Sequence, residues 1–242
     1  LRQQILGVAF DRLTLATAVE RIEELVVCDR QAPALVITAN PEMVMLARRD
    51  EEMARILAAG DLVTADGIGI VLAAKILGCP LPQRVTGIDL AQSLFDLGKY
   101  SFFFLGARPG VAEEAAARLQ SIYPGLKIAG WHDGYFQDDE GVIAAINRVR
   151  PDILLIAMGM GRQEKWFWKN RHRLQVKVGI GVGGCFDVWA GRVRRAPIWL
   201  QKLGLEWFYR LIKEPWRYKR MLVLPEFLLL ALKERLVRGK AR

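Results

Sequence analysis

Asp61-Leu-Val-Thr-Ala-Asp-Gly-Ile-Gly-Ile-Val-Leu-Ala-Ala-Lys-Ile-Leu-Gly78 holds a whole structural unit in one stretch. Residues 61–64 predict a short apolar strand, Ala65-Asp66-Gly67 a polar strand end, and residues 68–77 a helix that stops at Gly78. A strand that reads as an unbroken apolar run is covered on both faces, and a helix after it leads to a parallel neighbour rather than a hairpin. The unit recurs outward in both directions. Residues 34–38 predict a strand, followed by Pro41 and a helical pattern through Met43, Leu46, Met53 and Leu57. Residues 101–105 lead through Gly106-Ala-Arg-Pro-Gly110 into a helix over 109–122. Residues 127–131, 152–157 and 176–182 read as strands, separated by helices over 139–149 and 163–172. Ahead of them, residues 5–10 predict an edge strand and 14–27 a helix. The expected fold class is α/β, a mainly parallel sheet with helices on both faces.

The 242 residues are 52% hydrophobic and 25% charged, a globular composition rather than a disordered one. No run approaches the roughly 20 apolar residues of a membrane span. The best stretch, 221–232, is short and holds Pro225 and Glu226. A basic segment followed by an apolar one is missing at the N-terminus, which predicts a cytoplasmic protein. The net charge of +9 is lopsided: residues 192–242 carry 14 Lys and Arg against four Glu, on an otherwise near-neutral body. Trp189, Trp199, Trp207 and Trp216 cluster at or beyond the same boundary. Two domains are therefore expected, a catalytic body over 1–195 and a basic, Trp-rich helical appendage over 196–242. A soluble appendage packed on the body is one reading; interfacial helices on an anionic membrane fit better, because Trp and Tyr favour the headgroup zone of a bilayer and Lys and Arg its phosphates.

Ligands of open parallel sheets gather at the carboxyl ends of strands. Four polar clusters fall there: Thr38-Ala-Asn40, Asp66-Gly67, Gly159-Met-Gly-Arg-Gln-Glu164 and Gly183-Gly-Cys-Phe-Asp187. A strand-end Asp also serves as a helix cap, so Asp66 is a candidate for either role. Gly179-x-Gly181-x-Gly183 overlaps a strand and opens no βαβ unit, which excludes the dinucleotide fingerprint. Gly106-Ala-Arg108-Pro109-Gly110 is a candidate phosphate turn and equally an ordinary one. No Asp-x-Asp triplet occurs, and Cys28, Cys79, Cys185, His132 and His172 show no metal-ligand spacing. A diphosphate leaving group would then rely on arginine, whose fork matches its oxygens. Arg84, Arg192, Arg194, Arg195, Arg217 and Arg220 are candidates.

Over nearly its whole length the chain resembles the WecG/TagA/CpsF glycosyltransferases. The stretches that carry this are Thr38-Ala-Asn-Pro-Glu-Met43, Ala65-Asp-Gly-Ile-Gly-Ile70, Leu81-Pro-Gln-Arg-Val-Thr-Gly-Ile-Asp-Leu90, Gly161-Arg-Gln-Glu-Lys-Trp166 and Gly181-Val-Gly-Gly-Cys-Phe-Asp-Val-Trp-Ala-Gly191. Arg195-Ala-Pro-Ile-Trp199, Gly204-Leu-Glu-Trp-Phe-Tyr-Arg-Leu211 and Glu214-Pro-Trp-Arg217 extend it through the tail. Gln83 stands where many members have Glu. The resemblance implies a Rossmann-like domain with a C-terminal membrane-targeting appendage. It implies inverting transfer, without metal or other cofactor, from a UDP-sugar to an undecaprenyl-diphosphate-linked sugar at the cytoplasmic face of the membrane. In teichoic-acid members N-acetylmannosamine moves onto N-acetylglucosamine in a β-1,4 link; other members use its uronic acid or glucose for exopolysaccharide or enterobacterial-type antigen. The family's catalytic Asp falls on Asp66 and its acceptor-pocket residues on Thr38 and Asn40, with Asp66 and Thr38 the expected catalytic pair. Arg84, Gln163 and Asp187 fall on further pocket positions, and Arg210, Arg217 and Arg220 on appendage arginines that meet the lipid diphosphate.

Asp187 is the rival base, and the site is expected to be complete only when the tail docks. A nucleotide-sugar epimerase or dehydrogenase shares the α/β pattern but needs a glycine loop after the first strand, where Asp11-Arg12 stand. A nucleic-acid-binding protein accounts for the basic tail but not for the strand-end clusters, so no nucleic-acid partner is expected. Monomer and homo-oligomer are both left open.

Overall fold

The computed structural model describes residues 1–215, 218 and 222–240. Strands β3 (Ala34–Ala39), β4 (Leu62–Ala65), β5 (Ser101–Gly106), β6 (Lys127–His132), β7 (Ile153–Ala157) and β8 (Val178–Gly181) form one sheet in the order β4-β3-β8-β7-β5-β6. Every pairing in it is parallel. Residues of β3, β4, β7 and β8 are buried throughout, as unbroken apolar strands demand, whereas β6 alternates as an edge strand does.

Alternate side chains along each strand enter two cores. One holds Leu35, Ile37, Val63, Leu154 and Ile156, beneath α2 (Pro41–Ala47), α3 (Glu51–Ala59), α4 (Ile68–Ile76), α7 (Asp139–Val149) and α8 (Arg162–Asn170). The other holds Val36, Leu62, Phe104, Leu155 and Ile180, beneath α1 (Leu15–Val27), α5 (Gly87–Asp96), α6 (Val111–Ile122) and α9 (Cys185–Trp189).

Residues 5–10 are not one edge strand. Leu6 (φ 49°) and Gly7 (φ 89°) turn the chain between β1 (Arg2–Ile5) and β2 (Val8–Asp11), an antiparallel hairpin outside the main sheet. Two successive residues at positive φ make the turn that matches strand twist, so the hairpin is local chemistry. It shields the outer edge of β4: the Asp11 carboxylate accepts from the Val63 N–H at 2.8 Å, and Arg2 donates to the Gly60 carbonyl at 2.7 Å. The helical pattern through 43–57 is two helices, because the Asp50 carboxylate caps a new one through the Met53 N–H at 3.0 Å.

After α9 the chain forms α10 (Ile198–Lys202) and α11 (Glu206–Lys213), split at Gly204 with φ 73°. The split fits where it falls, since a Cβ on Gly204 would lie 2.7 Å from Ile68 at the start of α4. The last helix, α12 (Val223–Lys240), returns along α4 and against α2. Phe227 and Ala231 are fully buried in the first core, and Arg235 donates to the Leu77 carbonyl just past the end of α4. Burying one Phe side chain stabilises by about 2–3 kcal/mol, and Val223, Leu228 and Leu230 add to the seating of the helix on the core. No helix among the described residues is long and apolar enough to cross a membrane.

Candidate active site

The four polar strand ends belong to β3, β4, β7 and β8, which are neighbours in the sheet, so the clusters converge although the sequence spreads them over about 150 residues. They line a cleft of about 470 Å³ that takes in Thr38, Asn40, Asp66, Arg84, Gln163, Asp187 and Arg210. Arg217 and Arg220 lie outside the described residues. The cleft lies at the carboxyl ends of these four adjacent strands, the place an open parallel sheet offers a ligand.

Asp66 follows β4 and is half-buried on the cleft floor. Its Oδ2 accepts a long bond, 3.4 Å, from the Gly87 N–H at the start of α5. Burial pushes its carboxyl up to about 6, against the pull of that N–H and of the Arg210 and Arg84 charges, and Glu206 adds to the push. A carboxyl poised there accepts a proton near neutral pH. Asp187 lines the same cleft from the first turn of α9.

Thr38, at the end of β3, is buried, and its hydroxyl donates to the Gly181 carbonyl at 2.8 Å. That leaves its oxygen as an acceptor toward the cleft. Asn40 caps α2, its Oδ1 accepting from the Met43 N–H at 2.9 Å, so its amide N–H groups are what it has left to offer. Gln163 is buried in α8 and its Oε1 accepts from the Gly183 N–H at 3.2 Å.

One wall carries a chain of charges. Glu206 of α11 pairs with Arg84 at 3.2 Å and with Arg195 at 3.4 Å; Arg195 pairs with Asp89 at 2.6 Å, and Asp89 accepts from the Thr86 hydroxyl at 2.6 Å. Arg195 Nη2 is buried and has no hydrogen-bond partner among the described residues. Position thus separates the candidate arginines: Arg84 lines the cleft and Arg195 stands behind Glu206, while Arg192 pairs with Glu114 at 2.7 Å and Arg194 is exposed. Sequence reasoning missed Glu206 as a site residue. The pairs that bring it there span 122 and 11 residues, and no local pattern announces them.

The glycines at 179 and 181 have a packing role. A Cβ on Gly179 would lie 2.2 Å from Phe167, and one on Gly181 would lie 2.4 Å from Gln163 Nε2. Their bare backbone lets α8 lie directly on β8. The turn at 106–110 does not line the cleft, and α6 begins after Pro109, with Gly110 as its N-cap. Cys28 is exposed, Cys79 half-buried and Cys185 buried in the cleft wall, with no disulfide among them. Among the described residues no three His, Cys, Asp or Glu side chains gather as metal ligands.

Residues 3–241 match the profile of the Glycosyl transferase WecG/TagA/CpsF family. A relative from Bacillus subtilis (strain 168) is 37% identical over 209 residues, covering 85% of this chain and 82% of that protein. One from Staphylococcus aureus (strain MW2) is 33% identical over 228 residues, covering 93% and 89%. Both bear the name N-acetylglucosaminyldiphosphoundecaprenol N-acetyl-beta-D-mannosaminyltransferase.

Proposed function

The chain belongs to the WecG/TagA/CpsF glycosyltransferase family, and from that premise we propose that it transfers N-acetylmannosamine from UDP-ManNAc to undecaprenyl-diphosphate-linked GlcNAc. The product is a β-1,4-linked disaccharide on the lipid, a step of teichoic-acid or surface-polysaccharide synthesis. The observation that carries the mechanism is the desolvated Asp66 carboxyl on the floor of a cleft whose wall bears Arg84 and Arg210.

In a single displacement the acceptor hydroxyl oxygen bonds to the anomeric carbon as the bond from that carbon to the UDP phosphate oxygen breaks. Asp66 takes the hydroxyl proton, and the bonding pair leaves with UDP. Attack opposite the leaving group inverts the anomeric centre. Arg84 and Arg210 offset the charge that grows on the diphosphate, with no metal required. Thr38 accepts from, and Asn40 donates to, the acceptor sugar, while Gln163 orients the donor and Asp187 lies beside it. Arg217 and Arg220 meet the lipid diphosphate.

Residues 196–242 work as a peripheral membrane appendage on the cytoplasmic face. Ile198, Trp199, Leu203, Phe208 and Ile212 are exposed on and around α10 and α11, as are Leu229, Leu232, Leu236 and Val237 on α12. Such an apolar surface, in a segment with a strong excess of Lys and Arg, suits an anionic bilayer. The epimerase, dehydrogenase and nucleic-acid alternatives give way to the family assignment. Product analysis tests the reading: the chain is incubated with UDP-ManNAc, its uronic acid or UDP-glucose and a short-chain lipid-diphosphate-GlcNAc. A ManNAc-GlcNAc product is expected; transfer from another donor alone would reassign the sugar, and no transfer from any would overturn the proposal.

A further inference from the structure

Behind Gln163 lies a carboxylate that the transfer chemistry does not use. Glu164, next along α8, is 2% exposed, and both of its oxygens accept from neutral N–H groups. Oε2 accepts from the Gly161 backbone at 2.7 Å and Oε1 from Gln163 Nε2 at 2.7 Å. Beyond, Gln163 Oε1 accepts from the Gly183 N–H at 3.2 Å. The chain of bonds has one direction. A backbone N–H at each end only donates, and the Glu164 carboxyl, which burial pushes up against the pull of these same bonds, accepts at both oxygens, so the amide between has one orientation that satisfies every member. Leaving such a buried group mismatched is what a protein interior tolerates least.

An amide has two N–H bonds and two carbonyl lone pairs. With one of each committed, Gln163 keeps one N–H and one lone pair, on the side chain that lines the cleft. We propose that Glu164 is a positioning residue for sugar transfer: it fixes which way round the Gln163 amide sits, and so which atom of Gln163 meets a hydroxyl or phosphate acceptor and which meets a donor on the sugar nucleotide. This rests on the cleft being the UDP-sugar site. The missing Cβ of Gly181 belongs to the same device, since that atom would lie 2.8 Å from Glu164 Oε1.

Glu164→Gln keeps the shape and reverses one end of the chain, because its new amide nitrogen must face either the Gly161 N–H or the Gln163 nitrogen. The double variant Gln163→Glu/Glu164→Gln restores a partner for every group. Its amide at position 164 accepts from the Gly161 N–H and donates to the carboxylate now at position 163, which also accepts from the Gly183 N–H. It places a carboxylate where the cleft had an amide. Thermal unfolding and donor kinetics are measured on both full-length variants. Glu164→Gln is expected to melt below wild type and to lose about tenfold to hundredfold in kcat/KM for the UDP-sugar. The double variant is expected to regain the melting temperature without regaining activity. Recovery of both would show that Gln163 serves only packing, and recovery of neither, or no loss in the single variant, would overturn the fixed direction of the chain. If the single variant does not fold, a folded and inactive double variant supports the proposal, and two unfolded variants refute it. Melting needs no substrate, so a wild-type chain inactive with every UDP-sugar would sink the proposed function while the melting series still judged the direction of the bonds.

Discussion

Replacing Asp66 with Asn should make the protein more stable and leave it almost inactive, with the gain in stability set by pH. In the folded chain the Asp66 carboxyl is raised from 3.8 to about 6. Below pH 3.8 it is protonated in the folded and unfolded chains alike and costs nothing. Between 3.8 and about 6 the unfolded chain gives up the proton while the folded chain keeps it, so stability falls as pH rises through that window. Above it the loss is complete. Roughly two units at 1.36 kcal/mol each give about 3 kcal/mol, a ceiling because the side chain keeps some contact with solvent in the cleft. Asn has no charge to bury, so Asp66→Asn should match wild type near pH 4 and exceed it at pH 7.5 by about 2–3 kcal/mol. For a chain of this size that is a rise in Tm of roughly 4–12 °C. The assay is denaturant or thermal unfolding of both proteins at steps from pH 4 to 8, with transfer measured on the same samples. Loss of the base should lower kcat about 10²–10⁴-fold, and wild-type kcat/KM should fall as pH drops through about 6. Equal stability at pH 7.5, or near-normal turnover in Asp66→Asn, would refute the reasoning and move the base to Asp187.

Glu206→Gln removes a charge that helps raise the Asp66 carboxyl, so the acid limb of the pH profile of kcat/KM should move to lower pH; an upward shift would contradict the geometry. Gly181→Ala puts a methyl 2.4 Å from Gln163 Nε2 and should cost about 1–3 kcal/mol together with weakened donor binding, read by thermal unfolding and titration calorimetry. Phe227→Ala should weaken the seating of α12 by about 3–5 kcal/mol, seen as faster proteolysis within 223–240 while the body stays folded; an unchanged cleavage rate would mean that Phe227 does not hold it.

The parallel sheet is legible because its central strands are largely apolar runs, and β3, β4, β7 and β8 are each followed by a polar cluster. The candidate residues could be named for the same reason: Thr38 and Asp66 stand at the ends of β3 and β4, and Gln163 and Asp187 follow β7 and β8 in the first turns of α8 and α9. Their convergence was not legible, since it depends on β3, β4, β7 and β8 being neighbours, and crossovers leave no mark of strand order in the sequence. Helix α5 escaped notice although Thr86 and Asp89 form its capping pair, 2.6 Å apart, because the preceding Pro82-Gln-Arg loop blurs the start of its apolar face. The hairpin at 5–10 reads as one strand in the sequence because Leu6 is a poor residue for a turn at positive φ, and only Gly7 signals it. In the sequence Glu206 is one negative charge in a basic tail, yet the fold sets it between Arg84 and Arg195.

The close seating of α8 on β8 also limits how such an enzyme can diversify. Gly179 and Gly181 admit no side chain: Phe167 fills the space at the first, and Gln163 and Glu164 that at the second. A lineage that exchanges one donor sugar for another has little freedom in that quarter. Variation is cheaper at the rim, where Trp207 of α11 and Leu224 of α12 border the cleft. Libraries intended to change the transferred sugar should therefore randomise those borders and keep the glycine floor intact.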